Sequence, residues 1–293
     1  MPTKAPKVLL RGLKSEQFRH SLDLQATQAL QQIPGIDVLI RTVLGPLAEQ
    51  VFYLENIASS ILVSDQQLPQ LHALLVDACE ILDLEPPQLY VRQNPAPNAY
   101  TFAIRGKQPF VVLHSSLVEL LTPAEIQAVI GHELGHLKCD HSLYLTLANL
   151  LILASGELLP FGGLIARSLQ SQVMEWIRCA EFTCDRAALL VAQDARVVAS
   201  VLMKLAGGSP SLVAQLNLDA FLEQARSYDQ VAQTEMGSLI GQAQTEPLTH
   251  PLPVLRAREI DRWGSSQAYQ NLLKQCSIGY NSEDASKGGW RNW

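Results

Sequence analysis

Residues 129–141 read VIGHELGHLKCDH, which places three histidines and a glutamate within ten positions of a chain that has seven histidines in all. Two readings compete: a polar helix end, or a metal site. On an α-helix His132 and His136 stand at i and i+4, so their imidazoles leave one face about one turn apart and can reach a single ion. Glu133 flanks that face, where its carboxylate can take a proton from metal-bound water instead of binding the metal itself. The preceding residues supply the helix. Thr122-Pro123-Ala124-Glu125 matches a capping box with proline at the first helical position, and Ile126, Val129 and Ile130 follow at core-facing spacing.

Two histidines do not complete a catalytic zinc site, which takes three protein ligands and leaves one direction open. The extended pattern H-E-x-x-H-x-x-G-x-x-H fails here, because Cys139 holds the glycine position and Ser142 the last histidine position. His141 falls one residue short of that slot. It reads as a polar group at the helix end, with a hydrogen bond supporting the site as the alternative. A glutamate from a later helix is the other solution, and AEFTCDRAAL (180–189) offers Glu181, with Asp185 one turn further on the same face. Glu181 then completes the set for one Zn2+ per chain. Asp185 can accept a hydrogen bond from the distal nitrogen of a ligating histidine and so fix its tautomer.

Around this centre the pattern is mostly helical. Leu71, Leu74, Leu75, Ala78 and Leu82 mark an amphipathic helix that Ser64 or Asp65 can cap and that ends before Pro86-Pro87. QLYVR (88–92), AYTFAI (99–104) and PFVVLH (109–114) read as three strands with a turn at 105–107, and Ser116 to Glu119 repeats the capping-box pattern. Further helices are expected over 173–192, 194–208 and 217–232, and after Pro251 or Pro253. The expected fold is α+β, mostly helical: a zincin-like metallopeptidase with a small three-stranded sheet beside the HExxH helix. A single domain is expected, with a helical N-terminal extension over 1–60, a core over 61–265 and a tail over 266–293.

Composition narrows the alternatives. A net charge of −6 and a pI near 5.6 provide no basic field for phosphates, so nucleic acid is not an expected partner. Five scattered cysteines make no disulfide framework and suit a reducing compartment, and the N-terminal residues lack the apolar core of a secretion signal. Cys139, Cys179 and Cys184 read as small buried hydrophobes, with thiolate ligation or redox control as the alternative. His20, His72 and His114 read as structural. Residues 143–166 are greasy, but Asn149, Glu157, Pro160 and a glycine pair interrupt them. A buried helix and turn is the expectation there, with peripheral membrane contact as the competing one.

The segments PNAYTFAIRGKQPFVVLHSSLVELLTPAEIQAVI, GHELGH, RCAEFTCDRAA and THPLPVLR together resemble the HtpX-like zinc metallopeptidases of the gluzincin clan, relatives of the CAAX prenyl endoproteases and the Oma-type proteases. The resemblance covers roughly residues 89–256. It implies a zinc metalloendopeptidase with His132, His136 and Glu181 as metal ligands, Glu133 as general base and Asp185 as the supporting carboxylate. It also implies that Asn98, Ala99 and Tyr100 belong to an edge strand to which a protein or peptide substrate adds, and that His250 steadies the oxyanion with Arg256 nearby. Two other functions stay open at this stage: a catalytically silent zinc-stabilised scaffold, and a peripheral-membrane interaction protein. The expected location is cytoplasm or an organelle stroma, with or without membrane association.

Overall fold

The computed structural model describes residues 7–32, 54, 58–103, 108–141, 144–145, 163–232 and 250–278. Its sheet is built on β2 (Gln88–Arg92), β3 (Ala99–Phe102) and β4 (Phe110–His114). A fourth strand, β1 (Ser60–Leu62), pairs antiparallel with β2, so the three-stranded expectation is corrected to four. Ile61 and Leu62 are both exposed, which removes the alternation by which a half-buried strand is recognised. The order is β1-β2-β4-β3, with β2 parallel to β4 and β3 antiparallel to it at the edge. Every residue of β4 is buried, as its interior position demands.

The helices described are α1 (Ser21–Gln31), α2 (Pro69–Leu82), α3 (Ser115–Leu120), α4 (Pro123–Lys138), α5 (Gly163–Ala192), α6 (Ala195–Gly207), α7 (Leu218–Ala232), α8 (Pro253–Gly264) and α9 (Gln267–Ile278). The capping box at α4 forms: the Thr122 N–H donates to Glu125 Oε2 at 2.7 Å. Glu125 also receives Lys204 Nζ at 2.6 Å and Ser200 Oγ at 2.6 Å, which ties the start of α4 to α6. The other two expected caps do not form. α2 begins after Leu68, at φ 60, rather than at Ser64 or Asp65, and α3 begins at Ser115, leaving Ser116 Oγ buried without a partner. Part of the expected tail is helical, with Tyr269 and Leu272 of α9 buried in the core.

α4 and α5 are the central pair, and two glycines set their separation. A Cβ on Gly131 would lie 2.8 Å from the Val191 side chain, and one on Gly135 would lie 2.8 Å from Ala187 Cβ and 3.0 Å from Cys184 Cα. Only glycine permits this approach, which brings the face of α4 carrying the histidines against the face of α5 carrying Glu181. α1 packs on α5, where Leu30 joins Trp176 and Tyr144 in a second cluster. Of the greasy segment 143–166, Tyr144, Leu145 and the backbone of the first turn of α5 are described; the rest lies outside the described residues. No helix of the described residues is long and apolar enough to cross a membrane.

Candidate metal centre

The last two turns of α4 present His132 and His136 to Glu181 in the middle of α5. His132 Nε2 lies 3.4 Å from Glu181 Oε2, and His136 Nε2 lies 3.5 Å from Glu181 Oε1. Ligands about 2.1 Å from a tetrahedral zinc stand roughly 3.4 Å from one another, so these are the separations of groups around a common ion. Glu181 Oε2 is buried and accepts no well-aligned hydrogen bond, although His132, His250 and Arg256 all approach it. A buried carboxylate oxygen left in that condition calls for a cation.

Glu181 and Asp185 are buried beside the Arg256 guanidinium, with the imidazoles of His132 and His250 also at Glu181. Burial opposes ionisation of Glu181, but the charges of His250, His132 and Arg256 hold its carboxyl well below the usual range. Burial likewise opposes a charge on His132, yet Glu181 and the Asp185 hydrogen bond push its pKa up to about 10. A divalent ion would take the place of that proton.

Hydrogen bonds fix the ring of His132. Its Nδ1 meets Asp185 Oδ1 at 3.1 Å, and Arg256 grips the same carboxylate with two bonds, Nη2 to Oδ1 at 2.7 Å and Nε to Oδ2 at 2.8 Å. The fork restrains both oxygens of Asp185. His136 has a different support, since its Nδ1 lies 3.2 Å from His141 Nδ1. His141, expected as a polar helix end or as a hydrogen-bonding support, is fully buried.

A second donor set includes sulfur: one ligand atom each from His132, His136 and Cys184 lie within 4.8 Å of one another. Burial and the neighbouring Glu181 charge push the Cys184 thiol well above its ordinary pKa. Its Sγ lies 3.8 Å from His141 Nδ1, the atom that meets Nδ1 rather than Nε2 of His136. The oxygen of Glu181 is therefore the better third donor. Burial also raises the other thiols, Cys79 to about 12 and Cys179 to about 11.

Glu133 is anchored from the sheet. Thr101 Oγ1, on β3, lies 2.6 Å from Glu133 Oε2 and 3.2 Å from its carbonyl oxygen. A cavity of about 280 Å³ opens here, lined by His132, Glu133 and Glu181, with Asn98 and Ala99 on one side and His250 and Arg256 on another. Val129, Val198, Val201 and Leu202 make its wall apolar. His250 is half-exposed, with Nδ1 2.8 Å from Glu181 Oε2. Tyr100 points to the other face of the sheet, where its ring meets His114 edge-on at 6.0 Å, so only its backbone can serve the cavity.

Sequence reasoning missed Thr101 and Asp23. A threonine in a strand looks like an ordinary strand former. Asp23, expected only as part of a helical extension, is fully buried behind His141.

Comparison with known proteins gives the context. A family profile described as Peptidase family M48 matches residues 65–264. The plastoglobule-localized metallopeptidase 48, chloroplastic, of Arabidopsis thaliana is 58% identical over 272 residues, covering 93% of this chain and 79% of that protein. Protease HtpX homolog 2 of Methanosarcina mazei is 30% identical over 190 residues, 55% of this chain and 64% of that protein. Among solved structures, S. mikatae Ste24p aligns with a TM-score of 0.36 at 17% identity, over 82% of this chain and 65% of that one.

Proposed function

The chain belongs to peptidase family M48 and is a metalloprotease, and on that premise we propose that it is a zinc endopeptidase whose metal is held by His132, His136 and Glu181. The observation that carries this reading is the 3.4 and 3.5 Å spacing of Glu181 from the two Nε2 atoms, together with the unsatisfied Oε2. Zinc bound there supplies Lewis acidity, acidifying water and polarising the scissile carbonyl.

The protein residues do the rest. Glu133 accepts the proton of the attacking water and returns it to the leaving amine, and the Thr101 hydroxyl holds its carboxylate in place. Asp185 and Arg256 keep the His132 ring in register. His250, at the mouth of the cavity, donates to the developing oxyanion. An intact base beside the donor set favours catalysis over a silent scaffold, because a structural zinc site has no use for one.

The substrate is an extended peptide that adds as a further strand alongside β3 near Asn98 and Ala99. An apolar side chain next to the scissile bond suits the Val129, Val198, Val201 and Leu202 wall. The plastoglobule-localized, chloroplastic relative supports an organelle as the working location. Peptide hydrolysis by the purified protein, with and without chelator, tests the activity. Glu133→Gln is expected to keep its zinc and lose activity by about 10²–10⁴-fold; full activity in that variant would remove the assigned base.

A further inference from the structure

Each α4 histidine has its distal nitrogen occupied, but only one of the two supports comes from the helices that build the centre. His132 leans on Asp185 of α5. His136 Nδ1 lies 3.2 Å from His141 Nδ1, and His141 Nε2 lies 3.1 Å from Asp23 Oδ2 on α1. Asp23 is outside residues 65–264, the part of the chain that matches the family. From Asp23, His141 and His136 we infer a positioning relay that fixes the ring of His136 and selects the tautomer whose Nε2 is free for the metal.

The proton order follows from valence, given the proposed reading of His136 as a ligand through Nε2. A neutral imidazole that gives its Nε2 lone pair to an ion carries its only proton on Nδ1. That proton can be donated only to a bare His141 Nδ1. The His141 proton then sits on Nε2, facing the Asp23 carboxylate. The relay ends on an acceptor-only carboxylate, and the Cys184 thiol, 3.8 Å from His141 Nδ1, is a second donor facing the same bare nitrogen.

The backbone is arranged to produce this contact. After the C-cap Cys139, Asp140 takes the left-handed conformation at φ 53. The N–H of His141 then donates to the His136 carbonyl at 3.0 Å, and that of Asp140 to Leu137 at 3.2 Å. These are the two bonds of a Schellman ending, which folds the residue after the turn back onto the last helical turn. Asp23 is held as firmly: Arg19 Nε donates to Oδ2 at 2.9 Å, and the hydroxyls of Thr27 and Thr183 donate at 3.0 and 2.8 Å. Trp176 Nε1 bonds Thr27 Oγ1 at 2.8 Å and closes the cluster. A carboxylate carrying this many donors is a built acceptor, not a solvated helix face.

The test uses the full chain, stripped of metal, and measures zinc dissociation constants by competition with a chromophoric chelator. His141→Phe removes the acceptor for His136 and is expected to weaken zinc binding by about 10–100-fold. Asp23→Asn keeps an amide oxygen for His141 Nε2–H and is expected to lose less, while Asp23→Leu matches His141→Phe. Thermal unfolding of each metal-free form separates loss of fold from loss of affinity. Histidine-selective ¹⁵N NMR of the zinc-loaded wild type gives a readout that needs no variant: protonated Nδ1 on His136 and protonated Nε2 on His141.

Zinc bound by folded His141→Phe as tightly as by wild type, or a proton on His141 Nδ1, overturns the relay. Wild-type protein that takes up no zinc overturns the metal reading and the relay together. Wild type that binds zinc with unchanged variants overturns the relay alone.

Discussion

Thr101 Oγ1 lies 2.6 Å from Glu133 Oε2, so the strand proposed to receive substrate also holds the proposed base. The two functions share one rigid element: a shift of β3 moves the peptide and the carboxylate together. Thr101→Val keeps the shape and removes the hydrogen bond. One such bond is worth about 1–1.5 kcal/mol, so kcat is expected to fall by roughly tenfold while zinc affinity holds. Steady-state kinetics alongside metal analysis check this, and an unchanged kcat would remove Thr101 from the machinery.

Gly135 sets the distance between the two ligand-bearing helices. A methyl group there meets Ala187 Cβ at 2.8 Å and Cys184 Cα at 3.0 Å, neither of them a flexible side-chain end. Gly135→Ala is therefore expected to cost about 1–3 kcal/mol and to weaken zinc binding, since α4 must move away from Glu181. Thermal unfolding and zinc titration read the two effects; a variant as stable and as tight as wild type would show that the helices can separate freely.

Glu259 joins three parts of the chain, with Arg186 Nη2 at 2.8 Å and His20 Nε2 at 3.3 Å. Burial opposes its charge, but the hydrogen bonds from His20 and Arg186 win and hold the carboxyl at about 2. The folded pKa is thus depressed below the ordinary 4.5. Its contribution is complete above the unfolded value and is lost as pH falls toward the folded one. Glu259→Gln is expected to lose on the order of 2–3 kcal/mol at neutral pH and to flatten the acid slope of stability between about 4.5 and 2. Urea unfolding at several pH values checks it; parallel curves for the two proteins would contradict the assignment.

What could be read from the chain was whatever one local period contains. His132, Glu133 and His136 lie within two turns, and Glu181 and Asp185 within one, so each group declares itself on a single helix. The Asp23–His141 contact joins residues 118 positions apart. Its local signal, Arg19-Asp23-Thr27 at i, i+4 spacing, is that of an exposed salt-bridged face. The burial of His141 is not legible locally, because the turn that folds it inward uses Asp140, not glycine, at its left-handed position. β1 escaped for the opposite reason: two exposed apolar residues mimic no regular period.

The central claim is that two helices hold one zinc through two imidazoles and the Glu181 carboxylate. X-ray absorption at the zinc edge, on protein loaded with one equivalent, tests it most directly, since Zn–S bonds lie near 2.3 Å and Zn–N and Zn–O bonds near 2.0–2.2 Å. A first shell of nitrogen and oxygen alone, reduced in Glu181→Ala, is the predicted result. A sulfur shell from Cys184, or a spectrum indifferent to Glu181, would contradict it.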